Sequence, residues 1–356
     1  VYDIASIANK GVSQRIITAP YSPLGHDAHI DTANATCVVL PTTQPVSPPR
    51  NEGDLMRVTN KEQPFHPIYN YAVIADATEG LILADINLFT DGDARNNFLK
   101  RAVTWNENGV LNGARHVTLG GYYAYVMAEK GLVVVNLNDP LKPKLETVVP
   151  LVDGRASMLQ FRYLFVTDKE GLKVIDVTHP EQATLLANNT IALQDAHKVF
   201  VSRTYAYVAA GAQGLVIVDV KNPEKMRVYQ QFTADGKLND ARDVILASTN
   251  ATLFAYVADG KNGMKVLQMT SPDSQPKFYG FSPAPKPELI SWYGTSSPAL
   301  SLSRPLERDR GADETGNQVA VFGRLGARPL NKEEAQRLYL NSEGKPWFVT
   351  DKVEGR

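Results

Sequence analysis

Cysteine is almost missing: Cys37 is the single one in 356 residues. That excludes an internal disulfide framework, a haem-attachment motif and a thiolate zinc site, each of which needs paired thiols. An excess of one charge is missing too, since 37 basic against 38 acidic residues leave a formal charge of −1. Nothing in that balance draws the chain to nucleic acid or to an anionic membrane surface. Hydrophobic residues make up 43% of the sequence, enough for a packed core, yet no unbroken apolar run reaches the ~18 residues of a transmembrane helix. Nucleophile elbows, zinc-protease helix motifs, phosphate loops and dinucleotide fingerprints are absent as well. The chain opens on Val1 in what reads as mid-strand, so it is expected to be a processed product or a piece of a longer polypeptide.

Against that sparse chemistry stands a repetition. A glycine, a large apolar residue and an apolar strand return as GLILADI from Gly80, GLVVVNL from Gly131, GLKVIDV from Gly171, GLVIVDV from Gly214 and GMKVLQM from Gly263. Spacings of about 40–50 residues fall in the window of stacked supersecondary units. In the clearest copy, Asp195 to Phe232, apolar residues two apart mark a first strand, YAYVAAG makes a second, LVIVDV a third, and Met226 to Phe232 a fourth. Gly211 and Gly214 suit tight reversals, and Asn222–Pro223 punctuates the turn before the last strand. Four antiparallel strands joined by short turns cannot bury both faces alone, so consecutive copies are expected to pack against one another.

GLVIVDV and YAYVAAG resemble the LVIVD repeat, a bacterial and archaeal β-propeller family, and the likeness covers most of Phe65 to Phe281. Asn136 and Gln268 depart from it where the strand usually ends in Asp. The resemblance implies an all-β propeller of four-stranded antiparallel blades. Seven blade-like units are expected: 1–19 together with 298–323, 26–60, 65–104, 113–150, 154–192, 195–234 and 240–281. The first closes the ring as a composite of both termini, which removes open sheet edges; six blades result if Ala28 to Thr59 belongs to a neighbour. The propeller then spans 1–325. An extension, 326–356, follows, with a short helix capped at Asn331 and Glu334 and an edge strand near Trp347.

The innermost strand of each unit begins with polar residues: Asp27 and His29, Arg115 and His116, Arg155, Asp195 and His197, Asp240 and Arg242. They are expected to ring one mouth of the channel, where such a mixture can hold an anionic small molecule, a metal or the haem edge of a partner, or can satisfy itself with water. His26 and His29 in GHDAHID form the densest candidate metal cluster, although three-residue spacing on a strand turns the imidazoles to opposite faces. DGDARNN from Asp91 opens like a calcium loop, but Arg95 takes a ligand position and no bidentate Glu follows.

Proteins with similar repeats are often parts of large exported bacterial polypeptides, some of them associated with multihaem c-type cytochromes. The resemblance therefore implies a non-catalytic, extracytoplasmic interaction scaffold with a protein partner. It has no cofactor of its own and places haem in the partner or in an upstream segment, near His26, His29 or His66. Two other classes stay open: a metal-dependent hydrolase or lyase working at the channel mouth, and a glycan or surface-polymer binder using Trp292, Tyr293 and Trp347.

Overall fold

The computed structural model describes residues 30–41, 66–86, 99–187, 189–249, 252–276, 282–303, 324–325, 328–329, 340 and 342–345. Among the described residues the strands form five sheets, each a path of four antiparallel strands, and one further antiparallel pair of two-residue strands, Arg324–Leu325 with Arg328–Pro329. The chain divides into two compact units, one of 1–148 with 322–331, the other of 149–321 with 332–356.

The first unit holds two sheets. One is β1 (Ala35–Val39), β2 (Tyr71–Asp76), β3 (Gly80–Asp85) and β4 (Lys100–Trp105), hydrogen-bonded in that order. A separate unit at 26–60 was expected, but β1 pairs directly with β2, Cys37 opposite Ala75 and Val39 opposite Val73. The reason is local. Pro67 opens a 3₁₀ turn over Pro67–Asn70, so the residues just before β2 are not extended, and the buried β2 takes its neighbour from farther upstream. The second sheet runs β5 (His116–Gly120), β6 (Tyr123–Ala128), β7 (Gly131–Asn136), β8 (Lys144–Val149).

The second unit holds three sheets. The first is β9 (Ala156–Gln160), β10 (Tyr163–Asp168) and β11 (Gly171–Asp176), with the fourth place shared by two short strands, β12 (Thr184–Leu185) and β13 (Ile191–Ala192). Next come β14 (Val199–Ser202), β15 (Tyr205–Ala209), β16 (Leu215–Asp219) and β17 (Arg227–Phe232). The last is β18 (Asp243–Thr249), β19 (Thr252–Ala258), β20 (Met264–Thr270) and β21 (Glu288–Tyr293). Its fourth strand begins beyond the expected Lys277–Phe281 stretch: within the proline-rich 283–287, Lys286 N donates to Met269 O at 2.7 Å, and the regular ladder of β21 follows from Glu288 opposite Gln268. Residues 277–281, the terminal segments of the expected composite blade (1–19 and 304–323) and the expected helix at 331–339 lie outside the described residues.

The recurring phrase now has a mechanical meaning. Its glycine has positive φ, +71° at Gly214, and a Cβ there would lie 2.4 Å from the Phe232 carbonyl oxygen of the fourth strand. Only glycine allows that approach. Its closing Asp turns the chain: Asp219 Oδ1 accepts from Lys221 N at 3.1 Å while Oδ2 takes the Arg227 guanidinium at 2.8 Å. Asp176 does the same with Thr178 N at 2.8 Å and Arg162 at 2.5 Å. Asn136 keeps the turn, its Oδ1 accepting from Asn138 N at 2.8 Å, and reverses the other partner, its amide donating to Glu146 at 2.7 Å.

The apolar third strands fill the spaces between sheets of the second unit. Phe165, Val174, Val199, Val201 and Val216 make one core; Tyr207, Ile217, Val257 and Leu267 belong to the next.

Candidate functional site

Each sheet of the second unit is entered through the same short step, D-G-R at Asp153, D-A-H at Asp195 and D-A-R at Asp240. The third residue of each step sits at one backbone position. Arg155 N donates to Thr167 O, His197 N to Ala209 O and Arg242 N to Ala258 O, each at 2.8 Å. Equivalent placement stacks their side chains along one end of the three first strands.

There they join. Arg155 Nη1 donates to Asp195 Oδ1 at 2.7 Å and to Ala196 O at 2.9 Å, and its Nε reaches Asp153 Oδ2 at 3.4 Å. His197 Nε2 is 2.9 Å from Asp195 Oδ2 and 2.9 Å from Arg242 Nη1. Arg242 Nε donates to Asp240 Oδ1 at 2.7 Å. The result is an ionic chain, Asp153–Arg155–Asp195–His197–Arg242–Asp240. Its His197 nitrogen lies between a carboxylate that wants its proton and a guanidinium that wants its lone pair.

The electrostatics follow the geometry. Burial alone would raise the Asp195 carboxyl, but hydrogen bonds from Arg155 and His197 outweigh it and hold the group below the ordinary carboxylate value. Asp240 is likewise held low by Lys261 N–H and Arg242 against the effect of burial. Burial pushes His197 down; Asp195 opposes this, while the charges of Arg242 and Arg155 reinforce it. A neutral imidazole between two arginines and three aspartates is the resting arrangement.

Of the residues singled out from the sequence, Arg155, Asp195, His197, Asp240 and Arg242 are thus brought together. Arg115 and His116 open β5 in the first unit, Arg115 N donating to Met127 O at 2.8 Å in the same backbone pattern, but Gly113 stands where the other steps carry Asp. His66 caps the 3₁₀ turn, its Nδ1 accepting from Ile68 N at 3.2 Å and its Nε2 lying 3.3 Å from Asn138 Oδ1. The ring also stacks on Tyr122 at 5.7 Å, so both nitrogens are already engaged. His26, Asp27 and His29 lie outside the described residues. Sequence reasoning missed Asp153, although the spacing Asp-x-Arg was there to read. Among the described residues, no group of three or more His, Cys, Asp or Glu side chains is placed to hold a metal ion.

The profile of the LVIVD repeat matches residues 113–149, 194–233 and 240–280. The chain therefore carries LVIVD repeats. No curated protein matches the sequence. Among solved structures, it is similar to a putative 6-phosphogluconolactonase from Bacteroides uniformis, with 12% identity, a TM-score of 0.50, and coverage of 65% of this chain and 70% of that one. A functionally unknown protein from Desulfotomaculum acetoxidans matches at 9% identity and TM-score 0.48, over 78% of this chain and 74% of that one. The β-propeller domain of Myceliophteria thermophila Cps50 (Swd1) matches at 13% identity and TM-score 0.44, over 65% and 72%. Likeness at these identities concerns fold, and the fold class is all-β, with propeller-type blades.

Proposed function

We propose that this LVIVD-repeat chain is a non-catalytic interaction scaffold that works outside the cytoplasm by docking a protein partner, the partner class being a multihaem cytochrome assembly that supplies the haem. The observation that carries the first part is the ionic chain of the second unit. A hydrolytic or metal site needs a carboxylate or imidazole held ready for substrate or ion. Here Asp195 and Asp240 are bound by Arg155 and Arg242, and the single nitrogen Nε2 of His197 is contested between Asp195 and Arg242. Residues spent on one another in this way join neighbouring first strands and offer little to a reactant.

Docking needs exposed anchors, and aromatic side chains are the usual ones. Trp292 on the outer strand β21 is 66% exposed. Trp292 and Tyr293 are consecutive on a strand and so point to opposite faces, which disfavours a shared sugar-stacking platform. The cytochrome class and the extracytoplasmic setting rest on the resemblance of the repeats alone.

Native mass spectrometry and optical spectroscopy of the assembly purified from its source test the proposal together. A second polypeptide with haem absorption is expected. A lone chain carrying one tightly held metal per molecule and hydrolysing esters or lactones would overturn it.

A further inference from the structure

The three sheets of the second unit present register-equivalent residues on their following faces, and these residues have different fates. In the sheet β14–β17, Tyr207 pairs with Ile217 and Ala209 with Leu215, and Tyr207, Ile217 and Leu215 are all buried by the next sheet. One sheet earlier, Phe165 pairs with Val174 and both are buried too. In the sheet β18–β21 the same positions are Tyr256 opposite Val266 and Ala258 opposite Met264, and here Tyr256, Val266 and Met264 are only half-buried. Tyr293, across from Met264, is 69% exposed. An apolar sheet face built on the pattern of two covered ones is only half-covered by the described residues, and burial of the rest would stabilise it.

Two contacts indicate what covers it. Between the second and third sheets, Gly211 and Ala241 exchange backbone hydrogen bonds of 2.9 and 3.0 Å at the point where the third sheet begins. Gly260 and Ala299 form the same bridge, with Ala299 N donating to Gly260 O at 2.9 Å. Ala299 thus repeats the role of Ala241, and Leu300 and Ser301 fall on the positions of Arg242 and Asp243. The Asp243 side chain shares the open face with Tyr256 and Val266, since Asp243 pairs with Ala258. Its Oδ2 accepts from Ser301 Oγ at 3.0 Å and from Leu302 N at 2.9 Å, which holds the segment against that face.

We infer that residues 299–303 are the innermost strand of a further sheet of this same chain, and that this sheet covers Tyr256, Val266 and Met264. The open face is then an internal packing surface and is closed to partners, which takes the inference beyond the scaffold reading. Leu300, 63% exposed, stands where the three preceding sheets carry Arg155, His197 and Arg242. The ionic chain ends there because its next member is apolar.

Hydrogen exchange on the unmodified full chain tests this without any variant. The amides of 301–303 should exchange at least ~100-fold more slowly than those of an open loop, at all protein concentrations. A second reading uses Tyr256→Cys in a Cys37→Ser background: a maleimide should label it at least ~10-fold more slowly than Lys261→Cys in the same background. Fast exchange at 301–303 overturns the inference, as does fast labelling of Tyr256→Cys. Protection that appears only as the protein dimerises with rising concentration also overturns it, because a second copy is then the cover.

Discussion

The sheets β14–β17 and β18–β21 follow nearly the same grammar and differ in one respect. In the first, the third strand LVIVD has Leu215 to Val218 all buried; in the second, MKVLQMT alternates between buried and half-buried positions. Burial on both faces turns a strand into an unbroken apolar run, whereas one covered face leaves a period of two. The departure of GMKVLQM from the repeat pattern is therefore a record of its neighbours.

Truncating the paired tyrosines gives the largest expected effect. Tyr207→Ala empties a fully buried site and should cost about 3–5 kcal/mol, while Tyr256→Ala, half-buried among the described residues, should cost somewhat less by denaturant unfolding. A loss near zero at Tyr256 would contradict the covering sheet inferred above, and a loss larger than that at Tyr207 would reverse the contrast between the two sheets. Next come the glycines, where the sheets should agree, because the constraint lies inside each one. Gly214→Ala would bring a Cβ within 2.4 Å of Phe232 O, and Gly263→Ala would bring one within 2.1 Å of Tyr293 O, both at positive φ. Each should cost about 2–3 kcal/mol.

Acid separates the sheets again, since one entry step carries His197 and the next carries Arg242 at the same position. The folded-state pKa of His197 lies below its unfolded value, so the unfolded chain takes up the proton first. Stability should be level above about pH 6.5 and fall below it, and His66, lowered by burial against its bond to Asn138, adds a loss of the same sign. His197→Gln should remove about 1 kcal/mol or less of that decline between pH 6.5 and 5. The carboxylates Asp195 and Asp240, held low, contribute their own loss only at more acidic pH. The smallest effect expected is at Asn136, in the sheet β5–β8. Asn136→Asp restores the usual residue yet sets a carboxylate against Glu146, and should lower the melting stability by about 0.5 kcal/mol at neutral pH, with partial recovery in high salt.

The repeat itself was legible because glycine, apolar strand and turn chemistry are each dictated within a dozen residues. So was the grouping of Arg155, Asp195, His197, Asp240 and Arg242, which follows from their common place before a first strand. Pairings across long gaps were not legible. Ala35–Val39 joins β2 over 30 residues away, and Glu288–Tyr293 replaces the nearer stretch, because a sheet edge is satisfied by whichever segment reaches it in register. Nor did residue types reveal that the charged positions would saturate one another; Asp195 reads alike as ligand or clamp until Arg155 is seen 2.7 Å away.

A double-mutant cycle on Arg155 and Asp195 addresses that last point most directly. With Arg155→Met, Asp195→Asn and the double variant compared by denaturant unfolding, a clamp predicts that each single change destabilises and that the double costs less than the sum by about 1 kcal/mol. Additive losses within about 0.3 kcal/mol, or a single variant more stable than the parent, would contradict the reading of these residues as structure and return them to the list of groups held ready for a ligand.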